Sequence, residues 1–130
     1  MKKQFVPYEL ALRLREKGFN ERCVASWLSK KFSFDGKEVL HIDERYGNGQ
    51  DQIYMQIPIK CLAPLWQQVI DWFRDKHDIH IHPNYRENIF GAQMFYEYLV
   101  HHKVDGDWKL ISIVGENPRE IAIYEALKKI

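Results

Sequence analysis

Five of the six histidines fall in two short runs, and these are the residues of the sequence best placed to do chemistry. His77, His80 and His82 lie within six residues, and the pair His101 and His102 follows later in the chain. Imidazole nitrogens are good ligands for Zn²⁺ and Ni²⁺. His80 and His82 would share one face of a strand, because side chains alternate along a strand.

A metal held by His77, His80 and His82 needs a further ligand, which Asp75, Asp78 or His101 could supply. The sequence has no HExxH motif and no spaced Cys/His pairs, so this cluster follows no established zinc pattern. The alternative is that the imidazoles lie on the solvent-facing side of a strand. The cluster is the candidate metal site, and the sequence indicates no cofactor.

Nucleophilic residues show no catalytic pattern. The sequence contains no GxSxG, no paired-acid motif and no nucleotide-binding fingerprint. Cys61 precedes a predicted helix, whose N-terminus can lower the pKa of a thiol, whereas Cys23 lies in a pattern typical of a small core residue. Two thiols without a CxxC unit suit a reducing compartment. These features favour a non-enzymatic protein.

The basic residues are concentrated at the start of the chain. Residues 1–31 contain eight Lys or Arg and three Glu, a formal charge of +5, which leaves −4 for the remainder. Arg13 and Lys17 are four apart and share a helix face, so they could contact neighbouring phosphates. Lys2, Lys3, Arg13 and Lys17 are therefore the candidate nucleic-acid-binding residues, the alternative being a solvated helix face.

Neither end nor middle of the chain carries a membrane signal. The first residues, MKKQFVPYEL, lack the apolar segment of a signal peptide. No stretch approaches the ~20 apolar residues of a membrane-spanning helix. The expectation is a cytoplasmic protein with no membrane partner.

The elements that must position these residues begin with a central helix over residues 62–77. Leu65, Trp66, Val69, Ile70 and Phe73 recur at helical spacing, and Pro64 suits the first turn. Because this stripe includes two large aromatic side chains, we expect it to bury more surface than any other element.

The turn and capping residues within residues 1–31 predict a helical hairpin. Pro7 begins a first helix that runs to about Lys17, and Gly18 ends it in the left-handed conformation that glycine adopts at low cost. Asn20 then caps a second short helix whose apolar residues are Val24, Trp27 and Leu28.

Residues 32–60 are predicted to form a connection of loops and short strands. A short strand is expected from Lys37 to Asp43, and a glycine-containing loop from Tyr46 to Gln52. Alternation over residues 53–59 indicates a further strand, at a sheet edge because Pro58 cannot donate a ladder hydrogen bond.

The order of predicted elements over residues 61–130 indicates an α-β-β-β-α core. After the central helix come a brief strand at 79–82 that Pro83 ends, a strand at 93–101, a hairpin turn at Asp105-Gly106, and a strand at 108–114. Asn117, Pro118 and Glu120 form a capping-box pattern before the last helix. The predicted apolar stripe of that helix consists of Ala122, Ile123, Ala126, Leu127 and Ile130. The prediction is a single α+β domain over 1–130, with an antiparallel meander and two helices on one face.

Two phrases, FVPYELALRLREKGFN near the start and CLAPLWQQVIDWFRDKH in the middle, resemble a family of small uncharacterised proteins of Bacteroidetes and their phages and prophages. That resemblance implies a cytoplasmic, mobile-element origin and carries over no functional residue. The α-β-β-β-α order also resembles a double-stranded-RNA-binding domain. That family has a lysine cluster at the start of its last helix, where this chain has Asn117-Pro118-Arg119-Glu120, so the phosphate clamp is not carried over.

Three functions follow as expectations. The first is a non-enzymatic interaction or accessory protein with a protein partner. The second is weak nucleic-acid binding through the basic N-terminal helices. The third is a metal-dependent activity at His77, His80 and His82. The oligomeric state stays open.

Overall fold

The computed structural model describes residues 2–28, 36–42, 59–87 and 94–130. The helices are a 3₁₀ turn at Lys2–Gln4, α1 at Tyr8–Glu16, α2 at Trp66–His77 and α3 at Pro118–Leu127; the strands are β1 at Ala25–Leu28, β2 at Val39–Ile42, β3 at Ile59–Leu62, β4 at His80–Glu87, β5 at Met94–Val104 and β6 at Asp107–Ile113. These elements give the predicted α+β class. The chain divides into two compact units, residues 1–69 and 70–130.

The first unit contains a three-stranded antiparallel sheet in the order β2-β1-β3. The predicted second helix of a helical hairpin is therefore wrong, because residues 25–28 form the central strand of this sheet. All four residues of β1 are buried. A short apolar run fits a buried strand as well as a helix, and here pairing on both sides decides in favour of the strand.

The end of α1 agrees with the prediction from Gly18. Gly18 has a φ of 96°, and its N–H donates to the carbonyl oxygen of Arg15 at 3.0 Å. The N–H of Phe19 donates to the carbonyl oxygen of Leu14, also at 3.0 Å. This pair of bonds is the Schellman motif, and the burial of Leu14 and Phe19 fits its usual apolar contact.

Within the first unit, two tryptophan side chains form hydrogen bonds to the backbone of residues 3–6. The indole N–H of Trp27 donates to the carbonyl oxygen of Val6 at 3.1 Å, and that of Trp66 donates to the carbonyl oxygen of Lys3 at 2.8 Å. The N–H of Val6 donates to the carbonyl oxygen of Pro64 at 2.9 Å. A buried indole N–H needs such an acceptor, so these bonds satisfy the ring nitrogens and hold residues 3–6 in place.

The central helix α2 starts at Trp66, so residues 62–65 of the predicted helix lie outside it, and Leu62 is the last residue of β3. The N–H of Leu65, the residue before the helix, donates to Oε1 of Gln68 at 3.0 Å. Gln68 is the third residue of the helix, so this bond is the one that an N3 glutamine makes in a capping box. Four of the five residues of the predicted apolar stripe, Trp66, Val69, Ile70 and Phe73, are buried, whereas Leu65 precedes the helix and is half-buried.

The second unit contains an antiparallel meander in the order β4-β5-β6. The predicted hairpin turn is confirmed: Asp105 and Gly106 have φ values of 53° and 85°, as a type I′ turn requires, and Val104 pairs with Asp107. The helix α3 packs against all three strands. Ile81 and Val100 lie opposite each other and are buried, which places them on the covered face of the sheet.

Two details of the second unit differ from expectation. The strand β4 passes through Pro83 and continues to Glu87. Among the described strands it lies at the edge of its sheet, where a proline can turn its missing N–H away from the ladder. Asn117 adopts a left-handed conformation with a φ of 50°, and its side chain makes no capping hydrogen bond. The predicted stripe of α3 is nevertheless present, with Ala122, Ile123, Ala126 and Leu127 buried.

In the middle of the chain, β2 confirms the strand expected near residues 37–43. The predicted loop at 46–52 and the alternating residues 53–58 lie outside the described residues. The order α2-β4-β5-β6-α3 is as predicted, while the likeness to a double-stranded-RNA-binding domain stays a prediction. None of the described helices is both long and apolar enough to span a membrane.

Candidate functional site

The face of the β4-β5-β6 sheet opposite Ile81 and Val100 carries a group of aromatic, basic and apolar side chains. We call it the open face, and its members are His80, His82, Leu99, His101, Lys103, Trp108 and Leu110. The strand register places them together: His80 lies opposite His101, which lies opposite Leu110, and Lys103 lies opposite Trp108. Trp108 is 50% exposed and Leu110 is 57% exposed. Large apolar side chains that stay this exposed on neighbouring positions mark a surface suited to binding.

Two histidines on the open face stack on each other. The ring centroids of His82 and His101 are 5.0 Å apart and the ring planes differ by 17°. The pKa of His101 lies below its ordinary value of 6.5, first because burial disfavours the charged ring and then because His82 and His80 repel a second positive charge. The lowered pKa keeps the His101 ring uncharged at neutral pH, where it stacks on His82.

A second cluster on the open face combines an ion pair with aromatic contacts. Asp78 lies 3.0 Å from Nε2 of His80 and 3.2 Å from Nζ of Lys103. These two partners lower the pKa of Asp78. The ammonium of Lys103 is 4.8 Å from the ring centroid of Trp108, and the His80 ring meets the same indole edge-on at 5.5 Å. Trp108 is thus held by a cation and an imidazole while half of its surface stays exposed.

A buried carboxylate on the same side of the sheet was not expected from the sequence. Glu97 accepts hydrogen bonds from Nδ2 of Asn84 at 2.8 Å and from Oγ of Ser112. The side chain is buried, and the two donors satisfy carboxyl oxygens whose burial without hydrogen bonds would be costly. No spacing in the sequence could reveal this group, because its donors come from the two neighbouring strands.

The structure brings together only part of the predicted metal cluster. His80 and His82 share the open face as expected, whereas the ring of His77 packs against Trp72, with the centroids 4.6 Å apart. Within the described residues, no group of three or more His, Cys, Asp or Glu side chains is arranged to hold a metal ion.

We expect no tight zinc binding by the full, untagged chain. His77 packs against Trp72 and His82 stacks on His101, and among the described residues no three potential ligands are grouped to hold one metal ion. Calorimetric titration with Zn²⁺ should show no site of sub-micromolar affinity. A stoichiometric tight site that disappears in both His80→Ala and His82→Ala would contradict this and restore the metal-dependent activity as an expectation.

The candidate nucleic-acid-binding residues lie in the first unit. Lys2 and Lys3 belong to the 3₁₀ turn, Arg13 lies on α1, and Lys17 follows the last residue of α1. Lys3, Arg13 and Lys17 are exposed. Arg13 and Lys17 are linked through the backbone, since the N–H of Lys17 donates to the carbonyl oxygen of Arg13 at 3.2 Å.

The two cysteines are buried, and neither forms a disulfide. Burial, helped by Glu21 and by Cys61, raises the pKa of Cys23 to about 12, so its thiol stays protonated. Cys61 lies in β3, opposite Trp27, and not at the N-terminus of α2. The mechanism by which a helix could activate Cys61 is therefore absent.

Comparisons with protein-family models, curated proteins and solved structures find no match. The chemistry of the open face therefore has to be judged from its own residues. What these residues offer is a sheet surface with two exposed apolar side chains, stacked rings and a paired cation.

The histidine stack makes a prediction about titration. Replacing His82 with Ala should raise the pKa of His101 toward 6.5 without reaching it, because burial is the larger cause of the shift. Proton NMR titration of the imidazole signals measures this. His41→Ala, a change on β2 in the other unit, is the matched control and should leave His101 unaffected.

The same shift sets the sign of a pH effect on stability. The folded protein holds the His101 proton less tightly than the unfolded chain, so protonation favours unfolding. The contribution of neutral His101 to the free energy of unfolding is therefore fully present above pH 6.5. It is lost as the pH falls through the lowered pKa of the folded protein. In the NMR titration, an unchanged pKa of His101 in the His82→Ala variant would show that the contact with His82 does not influence the protonation of His101.

Proposed function

We propose that this chain is a non-enzymatic interaction protein that binds a protein partner through the open face. The observation that carries the proposal is the exposure of Trp108 and Leu110, which lie two residues apart on β6 and share the open face. Tryptophan is strongly enriched among the side chains that dominate binding energies at interfaces. The rigid sheet already holds Trp108 against Lys103 and His80, so little side-chain freedom is lost on binding.

The surroundings of these two residues also suit a protein interface. Apolar residues at the centre of an interface are commonly ringed by polar groups that stay accessible to water. Asp78, His80 and Lys103 form such a polar border beside Trp108. The formal charge of residues 70–130 is −2, from eight Lys or Arg and ten Asp or Glu, so this unit has no excess of cations for a phosphate backbone.

The test is affinity capture with the tagged full chain from its native host, followed by mass spectrometry of protein and nucleic acid. His82→Asp and Leu110→Asp place a carboxylate on the open face, and Ile121→Asp places one at an exposed position of α3. A partner retained by the unaltered chain and by Ile121→Asp, but lost with both open-face variants, supports the proposal. Equal capture by all variants contradicts it.

Weak nucleic-acid binding through Lys2, Lys3, Arg13 and Lys17 is the second candidate, favoured by the exposure of Lys3, Arg13 and Lys17. Such binding should be non-specific, with dissociation constants of ~10⁻⁴–10⁻⁶ M at physiological salt. Fluorescence anisotropy at several salt concentrations should show affinity falling by a log–log slope of about −0.9 for each phosphate neutralised on duplex DNA. Nanomolar, sequence-selective binding would instead make nucleic acid the main ligand.

We infer a cytoplasmic setting and a mobile-element origin from the resemblance of the two sequence phrases to proteins of Bacteroidetes and their phages. The burial of two reduced thiols is consistent with a reducing compartment. Sequencing of the genomic neighbourhood tests the origin, since phage structural or replication genes should flank the coding sequence.

A further inference from the structure

Asp78 has a backbone conformation that is unusual for a residue with a side chain. It follows the last residue of α2, and its φ of 53° lies in the left-handed region. Helices often end with one residue in this conformation, and glycine is the usual one because it has no Cβ. The helix end by itself would therefore favour glycine at this position, and what distinguishes aspartate from glycine here is the carboxylate.

That carboxylate contacts two side chains of the open face at once. Oδ1 of Asp78 lies 3.0 Å from Nε2 of His80, and Oδ2 lies 3.2 Å from Nζ of Lys103. The lowered pKa of Asp78 keeps it ionised at neutral pH, and an ionised carboxylate only accepts hydrogen bonds. Nε2 of His80 must therefore carry a proton in this arrangement, so Asp78 sets the orientation of the imidazole as well as that of the ammonium.

Both partners of Asp78 in turn contact the indole of Trp108. Nζ of Lys103 is 4.8 Å from the ring centroid, and the His80 ring meets the indole nearly edge-on, with the centroids 5.5 Å apart and the planes at 68°. The contacts thus run from one carboxylate, through a cation and an imidazole, to one aromatic ring. Exposed ion pairs taken singly contribute little, whereas here two pairs share a carboxylate and act on the same ring.

The position of Trp108 in the sheet explains why such contacts matter. Trp108 lies two residues after the hairpin glycine Gly106, on β6, and among the described strands β6 has a neighbour only on its β5 side. A half-exposed side chain at such a position can adopt several rotamers, and ordering it on binding costs free energy. A contact that already selects one rotamer removes part of that cost.

We propose that Asp78 is a positioning residue of the open face: its carboxylate holds Lys103 and His80 against Trp108, so that the indole has one orientation before a partner binds. Asp78 does not itself have to touch the partner. The value of this orientation for binding rests on the function proposed above. The orientation itself is a property of the free chain and is tested without a partner.

The experiment measures the mobility of the Trp108 indole N–H in the full chain by ¹⁵N relaxation, with Trp108→Phe identifying the signal. The unaltered chain should give an order parameter of about 0.85, as a rigid group does. Asp78→Gly should lower it below about 0.6, because the carboxylate is lost while glycine suits the left-handed backbone. Acrylamide quenching of fluorescence is a second measurement, since Trp27, Trp66 and Trp72 are buried and Trp108 is half-exposed.

Two further variants separate positioning from a general effect of charge. Asp75→Asn removes a carboxylate of α2 that pairs with Arg74, and it should leave the Trp108 order parameter unchanged. Lys103→Met keeps most of the side-chain length but removes the ammonium, so it should also loosen Trp108. Because Asp78 acts through Lys103, the two changes combined should loosen Trp108 by less than the sum of their separate effects. Circular dichroism verifies that each variant is folded.

If the only role of Asp78 is to end α2, glycine replaces it without effect on Trp108, and an unchanged order parameter in Asp78→Gly overturns the proposal. Equal loosening by Asp75→Asn overturns it too, as does full additivity of the Asp78 and Lys103 changes. Such results would leave the binding function of the open face standing. Conversely, a failed affinity capture would leave the positioning of Trp108 by Asp78 standing, so the two failures are distinguishable.

Discussion

Replacing Phe73 with Ala is expected to lower the free energy of unfolding by about 3–5 kcal/mol. Phe73 is 0% exposed and is the largest of the fully buried side chains on α2. Its ring meets Trp72 edge-on, with centroids 5.0 Å apart, so truncation removes an aromatic contact as well as buried area. The loss is a large part of the ~5–15 kcal/mol that stabilises a typical domain.

Urea denaturation followed by circular dichroism measures this loss. Phe73→Leu keeps most of the volume and serves as the control, with an expected loss of no more than about 1.5 kcal/mol. If Phe73→Ala lost less than about 1 kcal/mol, the side chain would not have the burial that this structure gives it.

Replacing Ile123 with Ala should cost about 2–5 kcal/mol, because Ile123 is 0% exposed on the face of α3 that the sheet covers. The same helix offers a matched control two residues earlier. Ile121 is 41% exposed, so Ile121→Ala should change stability by no more than about 0.5 kcal/mol. Both changes remove the same atoms from one helix, so helix propensity cancels in the comparison.

Thermal and urea denaturation of the two variants test the orientation of α3 directly. Equal losses from Ile121→Ala and Ile123→Ala would contradict the assignment of the buried face. A larger loss from Ile121→Ala would reverse it.

Local patterns were reliable where neighbouring residues decide the conformation. Gly18 predicted the end of α1, because the required left-handed backbone is costly for residues with a side chain. The Asp105-Gly106 pair predicted the hairpin because both positions need a positive φ. The spacing of apolar residues predicted α2 and α3, since a helix repeats its buried face every three or four residues.

The tertiary structure decided what such patterns leave ambiguous. Residues 25–28 carry apolar side chains that fit a helix or a strand, and only pairing with β2 and β3 makes them a strand. Their predicted place in a helical hairpin was wrong for this reason.

The candidate site shows the same division. From the sequence, His80 and His82 could be placed on one face, because two residues in one strand need no knowledge of their neighbours. The pairing of His80 with His101, the separate packing of His77 against Trp72, and the burial of Glu97 between Asn84 and Ser112 depend on strand register. Register joins residues that are distant in the chain, and no local spacing encodes it.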